Sequence, residues 1–136
     1  DQVRLMPCHS PPHKGVPAAA AEHRAAMVQL AIAREDKLVC DRRELERSGK
    51  SYSIDSLIEL YEELGAGCSV SLVMGCDAVQ SVESWHRWQE LLDWAHIVVL
   101  ARPGWQFPTT GVVAGWLSEH RCDDHMVLQR ERSGSI

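Results

Sequence analysis

With 136 residues, 45% hydrophobic and 24% charged, the chain has the make-up of one soluble domain able to bury a core, which excludes disordered and collagen-like classes. Fourteen basic against 19 acidic residues give a net charge of −5, the wrong sign for a general nucleic-acid binder. No apolar run nears the roughly 20 residues that span a bilayer, and no basic segment leads into an apolar one at the start, so neither a membrane protein nor a secreted precursor is expected.

Val3 to Met6 reads as a short strand, closed by Pro7 and by a loop from Cys8 to Pro17 whose prolines exclude helix. From Ala18 to Ala33 nothing breaks a helix, and Met27, Leu30, Ala31 and Arg34, widened by Val28 and Ile32, form its expected apolar face. Leu38 to Cys40 is a brief extended stretch and Asp41 to Ser51 a polar connector. Ser53 supplies an N-cap hydroxyl and Asp55 a first-turn charge for a second helix, with Ile54, Leu57, Ile58, Tyr61 and Leu64 as its core stripe and Gly65 and Gly67 at its end. Val70 to Met74 and His96 to Ala101 are nearly continuous apolar runs, the pattern of parallel strands covered on both faces. A third helix is expected between them, from Ser84 to Ala95, then a loop after Pro103-Gly104, a helix from Val112 to His120 and a last strand from Met126 to Leu128. Alternating strands and helices predict a three-layer α/β domain with a parallel sheet. The chain opens at Asp1 and stops at Ile136 after a Ser-Gly-Ser turn, and reads as the middle of a longer protein.

In open parallel sheets ligands collect beyond the carboxyl ends of the strands, and the segments there carry the candidate chemistry. His9, His13 and Lys14 form a phosphate-binding loop or an exposed Pro-stiffened one. Ser51 to Asp55 opens a helix, whose free N–H groups either hold a carboxylate or phosphate or are met by their own side chains. Gly75-Cys76-Asp77 follows a strand, with Asp77 an acceptor for a ribose diol or an N-cap. In Trp85-His86-Arg87-Trp88 one indole faces the core while the other stacks on a flat ligand, or both are core. Arg102 adds a cation at the same sheet edge or is a solvated surface arginine.

Five cysteines, an odd number with no C-x-x-C pair, argue against a disulfide framework and favour a reducing cytoplasm. Cys8, His9 and His13, or His120, Cys122 and His125, are zinc-ligand types without the spacing of a tetrahedral site. Cys76 lacks the setting of a nucleophile elbow.

Taken in order, Pro11 to Lys14, Asp41 to Leu45 (D-R-R-E-L), Ser51 to Leu57 (S-Y-S-I-D-S-L), Gly75-x-Asp77, Trp85 to Trp88 (W-H-R-W) and Ala95 to Gly104 (A-H-I-V-V-L-A-R-P-G) closely resemble bacterial nicotinate-nucleotide adenylyltransferases over nearly all of Val3 to Gly104. The resemblance implies a Rossmann-like nucleotidyltransferase fold, one incomplete domain over residues 1–136. It implies transfer of the adenylyl group of ATP to nicotinate mononucleotide, with Mg²⁺ accompanying ATP, giving deamido-NAD and pyrophosphate. Carried over by position, His13 and Lys14 contact phosphates. Ser53 and the Ile54 N–H meet the nicotinate carboxylate, with the backbone of His86 nearby. Trp85 stacks on the pyridine ring, Gly75 and Asp77 receive ribose hydroxyls, and Arg102 lies at the nucleotide side.

The chain departs from the pattern at Cys8, where a polar amide is usual, at Ser53, where threonine is usual, and at Cys76. The family's first strand with its G-G-T-F-D-P-x-H-x-G-H loop and its S-x-T-x-x-R segment are not in this sequence, so little or no adenylyl transfer is expected from these residues alone. A related nucleotidyltransferase with another acceptor, or a catalytically silent nucleotide-binding module, are the competing readings.

Overall fold

Parallel strand pairing organises each of two units, Asp1–Tyr52 and Ser53–Ile136, in the computed structural model. Residues 1–9, 17–65 and 67–136 are described; His13 and Lys14 lie outside them.

In the first unit β1 (Val3–Leu5) pairs with β2 (Leu38–Cys40), Val3 opposite Leu38 and Leu5 opposite Cys40. Parallel neighbours need a long crossover, and α1 (Ala21–Ala31) lies within it. Its packing face differs from the expected one: Ala25 is fully buried, with Val28 and Ile32 partly covered, whereas Met27 and Leu30 are 64% and 78% exposed. Positions 25, 28 and 32 share one helical stripe. The methyl of Ala25 lets the helix approach β2 closely enough for the Cys40 thiol to reach the Ala25 carbonyl.

The segment after β2, expected as a polar connector, contains α2 (Arg43–Glu46) and buries Asp41, Glu44 and Ser51. Asp41 Oδ1 accepts the Arg43 N–H at 3.1 Å, and its Oδ2 accepts from Arg43 Nη2 at 2.8 Å and Arg4 Nη1 at 3.2 Å. Burial pushes the Asp41 carboxyl up, but the hydrogen bonds and charge of Arg43 and the bond from Arg4 outweigh it and hold it below its ordinary value. Burial, reinforced by the neighbouring Glu44 charge, raises the Cys8 thiol, which makes it a poor nucleophile.

The second unit begins with α3 (Ser53–Leu64), which buries Ile54, Ser56, Leu57 and Leu60. Ser53 is the first helical residue rather than a flanking cap. Strand β3 (Ser71–Gly75) pairs with β4 (His96–Leu100), from Ser71 opposite His96 to Gly75 opposite Leu100. The strands are covered on one face and only in part on the other, where His96 is buried. Paired residues share a face; Met74 and Ile97 lie on the buried one, while Val73 and Leu100, on the other, are 53% and 54% exposed.

The expected third helix is broken. After α4 (Cys76–Val79), 3₁₀ turns cover Val82–Ser84 and Trp88–Glu90, and only α5 (Leu91–Trp94) is α-helical. Arg87, with φ of 52°, sits in the left-handed region, a conformation that costs a non-glycine residue about 1–2 kcal/mol. Its guanidinium forks onto both oxygens of Glu90 at 2.9 and 2.6 Å. These bonds hold the Glu90 carboxyl below its ordinary value.

Helix α6 (Gly111–His120) buries Val113 and Trp116, whose indole meets that of Trp88 edge-on at 5.2 Å. The expected last strand is instead α7 (Val127–Arg130). Asp124 starts it, its carboxylate accepting the Met126 N–H and its carbonyl the Val127 N–H, an Asx turn that favours helix over strand. The chain beyond runs beside β4, with Gly134 N–H on the Ala95 carbonyl and Ile97 N–H on that of Ser135. His96, fully buried, staples this segment: Nδ1 accepts the Ser135 N–H at 3.2 Å, so Nε2 carries the proton and donates to the Glu131 carbonyl at 3.1 Å.

His96→Phe keeps an aromatic ring, somewhat larger than imidazole, but orphans both backbone groups, and should cost about 1–3 kcal/mol of stability, read as a lower urea midpoint. Faster hydrogen exchange at the Ser135 amide should accompany it. Because Asp41 titrates lower in the folded chain than in the unfolded one, its contribution is complete above the ordinary carboxylate pKa of about 3.9 and fades as acid protonates the folded form. Asp41→Asn should therefore lower the midpoint at neutral pH, with the gap to the parent chain closing on acidification.

Candidate functional site

Because β3 and β4 end in register, Gly75 opposite Leu100, the residues that follow them leave from one edge of the pair. Cys76 turns inward, 1% exposed, and its thiol donates to the Leu100 carbonyl at 3.3 Å. That ties the start of α4 to the end of β4 and gives this cysteine a packing role. Asp77 is left facing outward, and across from it Arg102 Nη1 reaches its Oδ2 at 3.4 Å. A Cβ placed on Gly75 would run into Asp77 Oδ1 and come within 3.5 Å of Arg102 Cδ. The absence of a side chain at 75 is what lets the Asp77 carboxylate fold over the strand end, with the Arg102 stem in contact distance beside it.

Two further contacts hold this edge in shape. Pro103 and Gly104 form a turn closed by the Trp105 N–H on the Arg102 carbonyl at 3.1 Å, with Gly104 at φ of 81°. Gln80 Nε2 then donates to the Gln106 carbonyl at 2.7 Å, pinning the loop to the segment after α4. The signal in the sequence was the Pro-Gly pair alone.

At the start of α3, Ile54 is fully buried and anchors the first turn, while Ser53 is half-buried. Asp55 lies close enough to Arg87 to help raise the guanidinium pKa, after the larger contribution of Glu90. The opening of α3 and the Trp85–Arg87 segment are thereby neighbours. Trp85 is half-buried in extended backbone between the two 3₁₀ turns, its N–H on the Val82 carbonyl at 2.9 Å, and His86 is exposed.

The expected site residues thus form two groups. Gly75, Asp77 and Arg102 touch one another, while Asp55, in the first turn of α3 with Ser53 and Ile54, places its charge near Arg87 of the segment that carries Trp85 and His86. Two clefts are present elsewhere in the unit. One, of about 420 Å³, lies between Trp88, Leu92, Val112, Trp116, Glu119 and His120. The other, of about 230 Å³, runs along β4 past Val98, Val99, Cys122 and His125. Neither is lined by Ser53, Asp77 or Trp85, and the indoles that wall the larger cleft are those of Trp88 and Trp116.

Among the described residues no three His, Cys, Asp or Glu side chains gather as a metal cage. His120 Nδ1 donates to the Trp116 carbonyl and the Cys122 thiol to that of Asp124, so the His120, Cys122 and His125 combination does not assemble. Mg²⁺ needs no such cage, since it binds chiefly through phosphate oxygens and water with one or two carboxylates. No helix of the described residues is long and apolar enough to cross a membrane.

A probable nicotinate-nucleotide adenylyltransferase of Cellvibrio japonicus is 49% identical over 121 residues, covering 89% of this chain and 57% of the relative. Relatives of the same name from Aeromonas salmonicida and Hahella chejuensis are 47% and 41% identical, each covering 99% of the chain and 63% and 62% of their own lengths. The chain therefore spans 57% to 63% of the length of these curated relatives. The cytidylyltransferase-like family model matches residues 1–131. Parallel strand pairs with helices beside them fit its Rossmann-like architecture. The chain belongs to the cytidylyltransferase-like family.

Proposed function

We propose that the chain forms the mononucleotide-binding part of a nicotinate-nucleotide adenylyltransferase, with residues 1–136 contributing to a single nucleotidyltransferase domain. The reaction joins the adenylyl group of ATP to nicotinate mononucleotide in the cytoplasm, on the route to NAD. A phosphate oxygen of the mononucleotide attacks the α-phosphorus of ATP in line. The bond from that phosphorus to the β-phosphate bridging oxygen breaks, and pyrophosphate leaves with its electron pair. Mg²⁺ bound with ATP neutralises phosphate charge.

The observation that carries this reading is the Gly75, Asp77 and Arg102 cluster at the shared end of β3 and β4, supported by relatives that bear this name over most of the chain. A glycine allows close approach, a carboxylate accepts both hydroxyls of a ribose, and a guanidinium suits a phosphate. At the opening of α3 the Ser53 hydroxyl and the Ile54 N–H hold the nicotinate carboxylate, which the positive end of the helix dipole favours. Trp85 supplies a ring for the pyridine to stack on and the backbone of His86 a further polar contact. His13 and Lys14 take phosphates. Positioning and charge neutralisation supply the rate, without a covalent enzyme intermediate.

Because the chain spans under two thirds of its relatives, binding is the more direct readout. Calorimetric titration should show nicotinate mononucleotide binding more tightly than nicotinamide mononucleotide, because the neutral amide forgoes the carboxylate's pairing with the helix start. Comparable affinity for both would count against this substrate and favour another nucleotidyltransferase. Trp85→Ala should weaken nicotinate mononucleotide by about tenfold or more, the size of one lost stacking contact. Gly75→Ala forces the Asp77 carboxylate aside and should weaken nicotinate mononucleotide with an unchanged circular dichroism spectrum. Assayed with ATP, the 136 residues should show little pyrophosphate release; near-normal turnover would contradict that.

A further inference from the structure

We propose that the Asp77–Arg102 ion pair is a latch that covers the mononucleotide site and is exchanged for the ligand, the ribose diol taking over the carboxylate while the phosphate takes over the guanidinium. The inference rests on the reading of this edge as a mononucleotide pocket.

Three observations lead to it. Asp77 Oδ2 and Arg102 Nη1 are 3.4 Å apart, so one oxygen of the carboxylate that would accept the diol is already engaged. Next, a Cβ at Gly75 would meet both Asp77 Oδ1 and Arg102 Cδ. The two side chains therefore lie over the bare strand end that a ligand would approach, and the space there is filled by the protein's own atoms. Finally, neither of the two clefts described above is lined by these residues.

The latch is weak enough to open. Arg102 and Asp77 are 60% and 34% exposed, and an ion pair in such surroundings shifts an equilibrium by about fivefold at most. The exchange is also chemically matched. A guanidinium and a diol compete for the same carboxylate lone pairs, and a released guanidinium finds a better partner in a phosphate, whose oxygens accept its parallel N–H groups. A ligand carrying diol and phosphate together re-pairs both halves of the latch. One carrying only the diol must displace Arg102 and leave it to water. The pair thereby discriminates in favour of the 5′-phosphorylated ligand beyond what a phosphate contact alone gives.

Arg102→Met keeps the stem and removes the charge at an exposed position, so folding is not at stake. Calorimetry should compare nicotinate mononucleotide with nicotinate riboside, the same molecule without phosphate, on the parent chain and on the variant. The riboside should bind Arg102→Met about two- to fivefold more tightly than the parent, because the latch is gone. The mononucleotide should bind about tenfold or more weakly, because a charge-assisted phosphate contact is lost, and Arg102→Lys should recover part of that loss. Opposite signs for the two ligands are the signature of the exchange. If the variant weakens both, or leaves the riboside unchanged while the parent chain binds the mononucleotide, the latch is overturned and the pocket stands. If the parent chain binds neither ligand, the pocket reading is overturned and the latch with it.

Discussion

The in-register parallel pairing of β3 with β4 is the constraint on which the candidate site depends. Placing Gly75 opposite Leu100 makes the two chains leave the sheet at one level, so residues 25 positions apart in sequence come to share one ion pair. Slipping the register by one residue would send every side chain to the opposite face and part Asp77 from Arg102. The pairing is secured from both ends of β4. At its start His96 ties the strand to the segment of Glu131 and Ser135. Near its end the Cys76 thiol holds the Leu100 carbonyl. Between these ties, the buried Met74 and Ile97 fix which face points inward.

Where one physical signal dominated, the sequence was legible. Continuous apolar runs located β3 and β4, and the spacing of Ile54, Leu57 and Tyr61 placed α3 over the residues it occupies. Where two signals competed, it was not. Trp85, Trp88, Leu91 and Leu92 have helical spacing, yet Arg87 adopts a left-handed conformation held by a fork onto Glu90, a contact that periodicity does not carry. Met126 to Leu128 has strand composition, but the Asx turn of Asp124 decides for α7. In α1 two adjoining apolar stripes were available, and the small Ala25, not the larger Met27 and Leu30, is the one that lies buried.

For the candidate site, residue types and their place after the strands were readable, because glycine, carboxylate and arginine at a sheet edge have recognisable chemistry. That Asp77 and Arg102 neutralise each other was not, since a motif names acceptors and donors without saying which are already taken. Nor was the distribution of the indoles. Trp88 pairs edge-on with Trp116 on α6, and that contact spans a stretch of sequence no local motif covers. Asp41, read as part of a linker, is instead the acceptor that joins Arg4 of β1 to Arg43 of α2.

The turn at Arg102–Trp105 bears on how quickly this edge can respond. Proline in its first central position and a positive-φ glycine in its second fix the backbone in a type II geometry, and the Gln80–Gln106 bond anchors the chain just beyond. Movement of the guanidinium is thereby confined to rotation about side-chain bonds. Exposed side chains reorient within picoseconds to nanoseconds, far faster than loop closures or domain rotations. Reorientation of the Arg102 side chain therefore needs no movement of the backbone that carries it.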